Sequence, residues 1–241
     1  LLEAGRDTPP GHEGAEVRDT FYRAVYNRRN TWPGITAQWQ PLPHNDPDAV
    51  PAFPYDQGRV MGGGSSVNSM VSIRGMPGDF EEWETAGATG WGWDDVLPYF
   101  MKSEDQAAVP PDELHESGGE WRVENQRLSW EVLDAFQEAA QQAGIPKTND
   151  FNRGDNYGCG YFHVNQRTGR RWSTSRGFLK PALNRSNLTV LTHAEVDKIQ
   201  LDGRRVTGLA LRRKGAPASV RVEGELILSA GSIGSPQILE L

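Results

Sequence analysis

Gly58-Arg59-Val60-Met61-Gly62-Gly63-Gly64-Ser65-Ser66-Val67-Asn68 is the stretch that decides how this 241-residue chain folds. Three glycines in a row remove the Cβ atoms that would keep a backbone away from a ligand. Successive backbone N–H groups, with the Ser65 and Ser66 hydroxyls, make a concavity suited to an anionic diphosphate. Arg59 brings a positive charge to the same place. A bare Gly-Gly-Gly-Ser-Ser is equally at home in a flexible surface loop. The continuation, Asn68-Ser69-Met70-Val71-Ser72-Ile73-Arg74-Gly75, is not linker-like, and it tips the balance towards a ligand loop.

On the N-terminal side, Leu1-Leu2 reads as the end of a buried strand closed by Gly5. Residues 6–55 are rich in Pro, Asn, Asp and Gly, a long excursion with one short helix expected at Asp19–Tyr26. An excursion of that length inside a compact domain points to a function such as a lid. On the C-terminal side, Asp94–Ser103 is expected to be a helix capped by Asp94. In Ser129–Ala143, Val132, Leu133, Phe136, Ala139, Ala140 and Ala143 recur at helical spacing, with Ser129 as cap and Gly144 as terminator. The last third turns to strands, expected at Leu188–Leu191, Ala194–Leu201, Gly208–Arg212, Val220–Val222 and Glu225–Ser229, with Asp202-Gly203 as a hairpin turn. A final helix is expected from Ser235-Pro236. Strand, excursion, then strands returning to a sheet describe an α/β nucleotide-binding domain with α+β insertions that fold separately.

Composition removes several function classes. The net charge is −7, with no long Lys/Arg run, which argues against nucleic acid as a partner. A single cysteine, Cys159, excludes an internal disulfide and a cysteine metal cluster. The five histidines show no metal-ligand spacing, so no metal is expected. His115 reads as a turn residue and His163 as a strand histidine. No nucleophile elbow is present, and no apolar run approaches a membrane span. A cytoplasmic location is expected, with membrane association left open.

The ordered motifs resemble those of the glucose–methanol–choline (GMC) oxidoreductases, a family of flavoenzymes. Gly58–Gly75 is similar to that family's first signature, with Met61 in place of an aliphatic Leu or Val and Ser72 where an aromatic or Ala is common. Asp79-Phe80, Trp83, Gly90-Trp91 and Leu97-Pro98-Tyr99-Phe100 resemble its choline dehydrogenase-like branch. Leu1–Gly5 resembles the end of the second strand of the FAD domain, where the acid, here Glu3, accepts hydrogen bonds from the adenosine ribose. Thr168–Arg171, Ser173-Thr174, Phe178-Leu179 and Asn187–Val190 resemble the segment leading back into that domain. Val196 matches a position whose backbone contacts adenine. Ala230-Gly231-Ser232 through Leu239 resembles the second signature.

The resemblance implies an incomplete FAD-binding Rossmann-like domain with part of the substrate-domain and lid insertions. It implies that this is an internal piece, with the Gly-x-Gly-x-x-Gly fingerprint before Leu1 and the catalytic His beyond Leu241. The cofactor-binding residues it implies are Glu3, Arg59, Val60, Gly62, Gly63, Ser65, Ser66, Asn68, Ser69, Met70, Val71, Val196, Ala230 and Gly231. In some family members a His just before the signature Asn bonds covalently to the flavin; here Val67 stands there, so FAD is expected to be noncovalent. The implied activity is hydride transfer from a primary alcohol, choline-like or other, to FAD, giving an aldehyde. A hydroxynitrile lyase of the same family and a non-catalytic FAD-binding module are the alternatives. The particular alcohol and the electron acceptor are left open.

Overall fold

A computed structural model describes residues 1–18, 21–38 and 52–241. In chain order its elements begin with α1 (Ala15–Arg18), α2 (Phe21–Tyr26), β1 (Thr36–Ala37) and β2 (Phe53–Pro54), then a 3-10 turn at Gly63–Ser66. Next come α3 (Pro77–Thr85), α4 (Trp93–Ser103), β3 (Glu104–Gln106), β4 (Trp121–Asn125), α5 (Glu131–Gln142), β5 (His163–Val164), β6 (Gln166–Arg167) and β7 (Arg170–Arg171). A π-helical turn at Ser175–Leu179 leads to α6 (Lys180–Ala182), β8 (Ala194–Asp202), β9 (Arg205–Arg213), β10 (Ala216–Arg221) and α7 (Gly231–Glu240). The chain divides into two compact units, one of residues 1–68 with 179–241, the other of residues 69–178.

The first unit is built on the antiparallel sheet β10-β9-β8. Asp202 pairs with Arg205, and Gly203 takes a φ of 58° in the connecting turn, the geometry that the Asp-Gly pair signals. Leu1–Gly5 runs parallel to Leu191–Ala194, tied by Leu191 N–H to Leu1 O, Glu3 N–H to Leu191 O and Ala194 N–H to Glu3 O, each 2.9 Å. Their side chains close one core: Ala194, Leu209 and Leu211 are buried, with Leu2, Leu191, Val196, Ile199, Val220 and Leu226 packed around them. A second core joins Val17 and Ala24 of the first two helices to Val60 and Val67 of the glycine loop.

The second unit holds the sheet β3-β4-β5, parallel between β3 and β4 and antiparallel between β4 and β5. Its helices α3 and α4 are joined by aromatic packing: Phe80 meets Trp83, Trp93 and Phe100 at ring-centroid distances of 5.4, 5.7 and 5.8 Å. Phe80, Trp83 and Phe100 of the motifs noted in the sequence thus belong to one aromatic cluster. Asp79 also caps α3, its Oδ2 accepting the Met76 N–H at 2.7 Å.

Several local expectations are corrected. The helix expected at Asp19–Tyr26 is seen as α2 from Phe21, and positions 19–20 lie outside the described residues. α4 starts at Trp93 with Gly92 as cap, so Asp94 sits inside the first turn, where its charge faces the helix dipole rather than capping an amide. The cap of α5 is Trp130, without a side-chain bond, and not Ser129. Its apolar stripe is turned outward: Val132, Leu133 and Phe136 are exposed, while Gln137 and Ala140 are buried. Leu188–Leu191 supplies only the isolated bridge of Leu191 to Leu2, and Glu225–Ser229 forms no strand, because among the described residues neither has a ladder partner along its length. α7 begins at Gly231, before Ser235, and carries Pro236 in its interior.

Candidate functional site

Glycine brings the site together in the first unit. At Gly5 a Cβ would stand 2.2 Å from the Arg59 carbonyl oxygen, so the end of the Leu1–Gly5 segment lies directly against the backbone of the glycine loop. Arg6 and Val60 form a parallel bridge at the same junction. At Gly58 a Cβ would reach the Gly63 carbonyl carbon at 2.7 Å, which folds the loop on itself. Gly62 and Gly63 take φ values of 87° and 52°, left-handed conformations that a side chain would resist. A Cβ on Gly231, whose φ is 87°, would meet the Gln57 amide at 2.9 Å, so the second signature abuts the first.

Side chains complete the convergence. The Arg59 guanidinium pairs with Glu195 at 2.7 Å and lies over the Trp32 ring at 4.7 Å. Glu195 also takes Arg212 at 3.0 Å, and Arg212 in turn reaches Asp197 at 3.0 Å. A cavity of about 240 Å³ opens here, lined by Ala4, Arg59, His193, Glu195, Arg212, Lys214 and Gly215. His193 and Lys214 sit at its wall with φ of 53° and 51°, joined by the Lys214 N–H to His193 O bond of 2.8 Å. For Lys214, as for Gly215, the positive φ is what the two-residue turn between β9 and β10 requires, whereas at His193 it is uncommon for a residue with a side chain. Arg59 therefore serves the loop through Glu195 and Trp32, and most of its charge is met by protein.

Glu3 stands beside this cavity's Ala4. Its Oε1 accepts the Gly5 N–H at 2.6 Å. Burial raises its pKa, while the Gly5 amide and the Arg59 charge pull it back. Val196 has its side chain in the core, and the β8–β9 register shifts immediately after it, between Val196 and Lys198. Val196 itself pairs with Leu211, and the residue the bulge leaves out of the ladder is Asp197, next to the position expected to meet adenine.

The loop hydroxyls turn inward. Ser65 Oγ donates to Gly62 O at 2.6 Å and Ser66 Oγ, fully buried, donates to Met61 O at 2.7 Å. Their protons close the loop, so the surface the loop offers a ligand is backbone, with Gly64 and Asn68 exposed. Val60 and Val67 are core residues, and Ala230 N–H is held by Ser235 Oγ at 2.9 Å. Ser69, Met70 and Val71 open the second unit. Met70 is buried with a φ of 65°, and its carbonyl accepts the Asn165 N–H at 2.7 Å. Sequence reasoning missed Trp32, Glu195 and Arg212. An ion pair across 136 positions leaves no periodic trace, and Glu195 was overshadowed by its neighbour Val196.

The family model described as GMC oxidoreductase matches residues 49–241. The chain belongs to the GMC oxidoreductase family. This GMC chain is 36% identical over 248 residues to a 5-(hydroxymethyl)furfural oxidase of Methylovorus sp. (strain MP688), covering 99% of this chain and 46% of that protein. An oxygen-dependent choline dehydrogenase of Photobacterium profundum is 38% identical over 189 residues, covering 77% of this chain and 33% of its own length. Among solved structures, pyridoxine 4-oxidase from Mesorbium loti superposes with a TM-score of 0.86 at 29% identity, over 99% of this chain and 45% of that one. The GMC chain thus spans between a third and a half of the curated relatives it matches. Among its described residues, no helix is long and apolar enough to cross a membrane, and no group of three or more His, Cys, Asp or Glu is placed to hold a metal ion.

Proposed function

We propose that the first unit holds the adenosine and diphosphate portion of a noncovalently bound FAD, and that the protein is an FAD-dependent oxidoreductase acting on a primary alcohol. The observation that carries this is the approach of Leu1–Gly5 to the backbone of Arg59 and Val60, which only glycine permits at Gly5, beside a polar cavity lined by Ala4, Arg59 and Glu195, with Gly231 set against Gln57. The residues present fit that cofactor. Glu3 keeps one carboxylate oxygen on the Gly5 amide and offers the other to a ribose diol, whose two hydroxyls need acceptors. The main chain beside Val196 is released by the bulge for an adenine edge. The glycine loop presents backbone to the diphosphate without a Cβ in the way.

Val67 supports a noncovalent cofactor. Its side chain is chemically unable to link to a flavin and is spent in the core with Val17, Ala24 and Val60. We assign Ser69, Met70 and Val71 to the flavin end; of the excursion at 6–55 that was expected as a lid, Val17 and Ala24 belong to the core, and positions 19–20 and 39–51 lie outside the described residues. Bound in this way, FAD would supply the electron sink for a hydride leaving the alcohol carbon, with the hydroxyl proton passing to a base, so that an aldehyde forms. The chain's own part is to orient the cofactor and exclude water; no histidine of this chain is assigned as the base. On this reading the protein works in the cytoplasm on a small alcohol.

The test is the visible spectrum of the purified full-length protein before and after alcohols are added without oxygen. A flavin band that is released by denaturation and bleaches with an alcohol supports the reading. A band that no alcohol bleaches moves the protein to a lyase or a binding module, and a protein without flavin sinks the reading.

A further inference from the structure

At the centre of the second unit stands a histidine that neither signature accounts for. His115 is completely buried, with Nδ1 3.0 Å from Glu104 Oε2 and Nε2 2.9 Å from Asp150 Oδ2. A neutral imidazole has one N–H, so one ring lone pair would then face a carboxylate oxygen at 3.0 Å or less. With Glu104 and Asp150 both ionised, only the imidazolium, a donor at both nitrogens, satisfies this geometry. Arg74 closes the cluster, its guanidinium 2.9 Å from Glu104 Oε2 and bonded to Leu114 O at 2.6 Å. Arg74 and His115 thus balance Glu104 and Asp150. His163 and Arg153 face Asp150 from further out, at 3.9 and 4.0 Å.

The cluster is wired to the segment that follows the glycine loop. Asp150 Oδ1 accepts the Asn152 N–H at 2.8 Å. The Asn152 side chain then brackets the segment, its Oδ1 accepting the Arg74 N–H at 2.7 Å and its Nδ2 donating to Ser72 O at 3.1 Å. From the sheet side, Ser72 N–H donates to His163 O at 2.9 Å and Asn165 N–H donates to Met70 O at 2.7 Å. Met70–Arg74 is therefore held at alternate backbone groups, and it starts from a Met70 in the left-handed region, a conformation that persists only where the surroundings over-determine it.

We propose that His115 is a positioning residue: through Asp150 and Asn152 its imidazolium locks Met70–Arg74 in the path that sets Met70 and Val71 for the flavin. The locking is a property of the second unit alone; its consequence for the flavin rests on the proposed function.

Two variants of the full-length protein test this, His115→Gln, which removes the charge, and Asn152→Ala, which leaves the charge cluster whole and cuts its link to the segment. The readouts are hydrogen exchange of a peptide spanning residues 69–75 and the position of the flavin absorption band. The expected result is exchange faster by about tenfold or more over 70–74 in both variants, no change in the β8–β9 hairpin, and a shifted flavin band. If His115→Gln does not fold, Asn152→Ala decides alone. Unchanged exchange over 69–75, exchange that rises only together with the rest of the second unit, or local loosening without a flavin shift would each overturn the proposal. A wild-type protein without flavin would instead remove the proposed function, and the exchange comparison would still judge the locking.

Discussion

Replacing Gly5 with alanine tests the meeting point of the site. The added Cβ would lie 2.2 Å from Arg59 O, 2.5 Å from Arg59 C and 2.7 Å from Val60 N. These are backbone atoms, so no side-chain rotation relieves the overlap. Carbon–oxygen contact distance is missed by about 1 Å, and the segment must withdraw by that much. Withdrawal strains the Arg6–Val60 bridge and the His193 N–H to Gly5 O bond of 2.9 Å. Overpacking of this kind costs about 1–3 kcal/mol, and one weakened hydrogen bond adds ~0.5–1.5 kcal/mol. For a chain of this size the thermal midpoint should fall by roughly 3–10 °C. Thermal unfolding followed by circular dichroism reads this, and flavin retention after gel filtration should fall with it. A Gly5→Ala protein that melts within about 1 °C of wild type and keeps its flavin would show that the two segments do not touch, and the site built here would collapse with that contact.

The neighbouring glycine gives the opposite pattern. Gly64 is exposed, and a Cβ there meets nothing within 4 Å, so Gly64→Ala should change stability by less than about 0.5 kcal/mol yet weaken FAD at least about tenfold in a titration of apoprotein, if a ligand occupies that space. Arg59→Ala leaves Glu195 with Arg212 and removes the stack on Trp32; with the pair only partly buried, the loss should be about 1 kcal/mol in urea unfolding. His115 is opposed by burial, but its bonds to Asp150 and Glu104 outweigh this and raise its pKa from 6.5 to about 9. A raised folded-state pKa gives stability that is complete below pH 6.5 and lost as pH rises through about 9. The unfolding free energy measured in urea should therefore decline across that window, by at most roughly 3 kcal/mol, and His115→Gln should flatten the decline.

What could be read in the sequence was whatever local chemistry dictates. The glycine run, the Asp202-Gly203 turn and the strands around it are set by backbone freedom and alternation within a few residues, and all are found. The sites of Glu3 and of Gly231 were legible as motifs, but the reason they belong together was not. The 2.2 Å approach at Gly5 and the Arg59–Glu195 pair arise from segments 54 and 136 positions apart. Helix α5 shows the converse failure. Its periodicity predicted a helix correctly, but periodicity says nothing of which neighbour the stripe meets, and here Val132, Leu133 and Phe136 face outward. Glu225–Ser229 has strand-like composition and forms no strand, because a strand is a property of a pair.

His115 and Arg59 show how the same residue chemistry divides between the two units. Each is a cation beside carboxylates, and sequence alone gave neither a partner. In the second unit the charges close, Arg74 and His115 against Glu104 and Asp150, and every one of these side chains is at most 9% exposed. In a closed and buried cluster each charge is met by protein; removing one member leaves an uncompensated charge, which is why such a cluster specifies one arrangement of the chain around it. In the first unit Arg59 and Glu195 remain 31% exposed, on the wall of an open cavity, beside Lys214 and His193. That wall can still trade protein contacts for ligand contacts. The closed cluster transmits position, and the peptide it holds begins two residues after the glycine loop ends. On the proposed reading, holding and binding fall to separate charges, and a substitution at Glu104 or Asp150 should disturb the flavin only through the Met70–Arg74 backbone, whereas one at Glu3 should act on the cofactor directly.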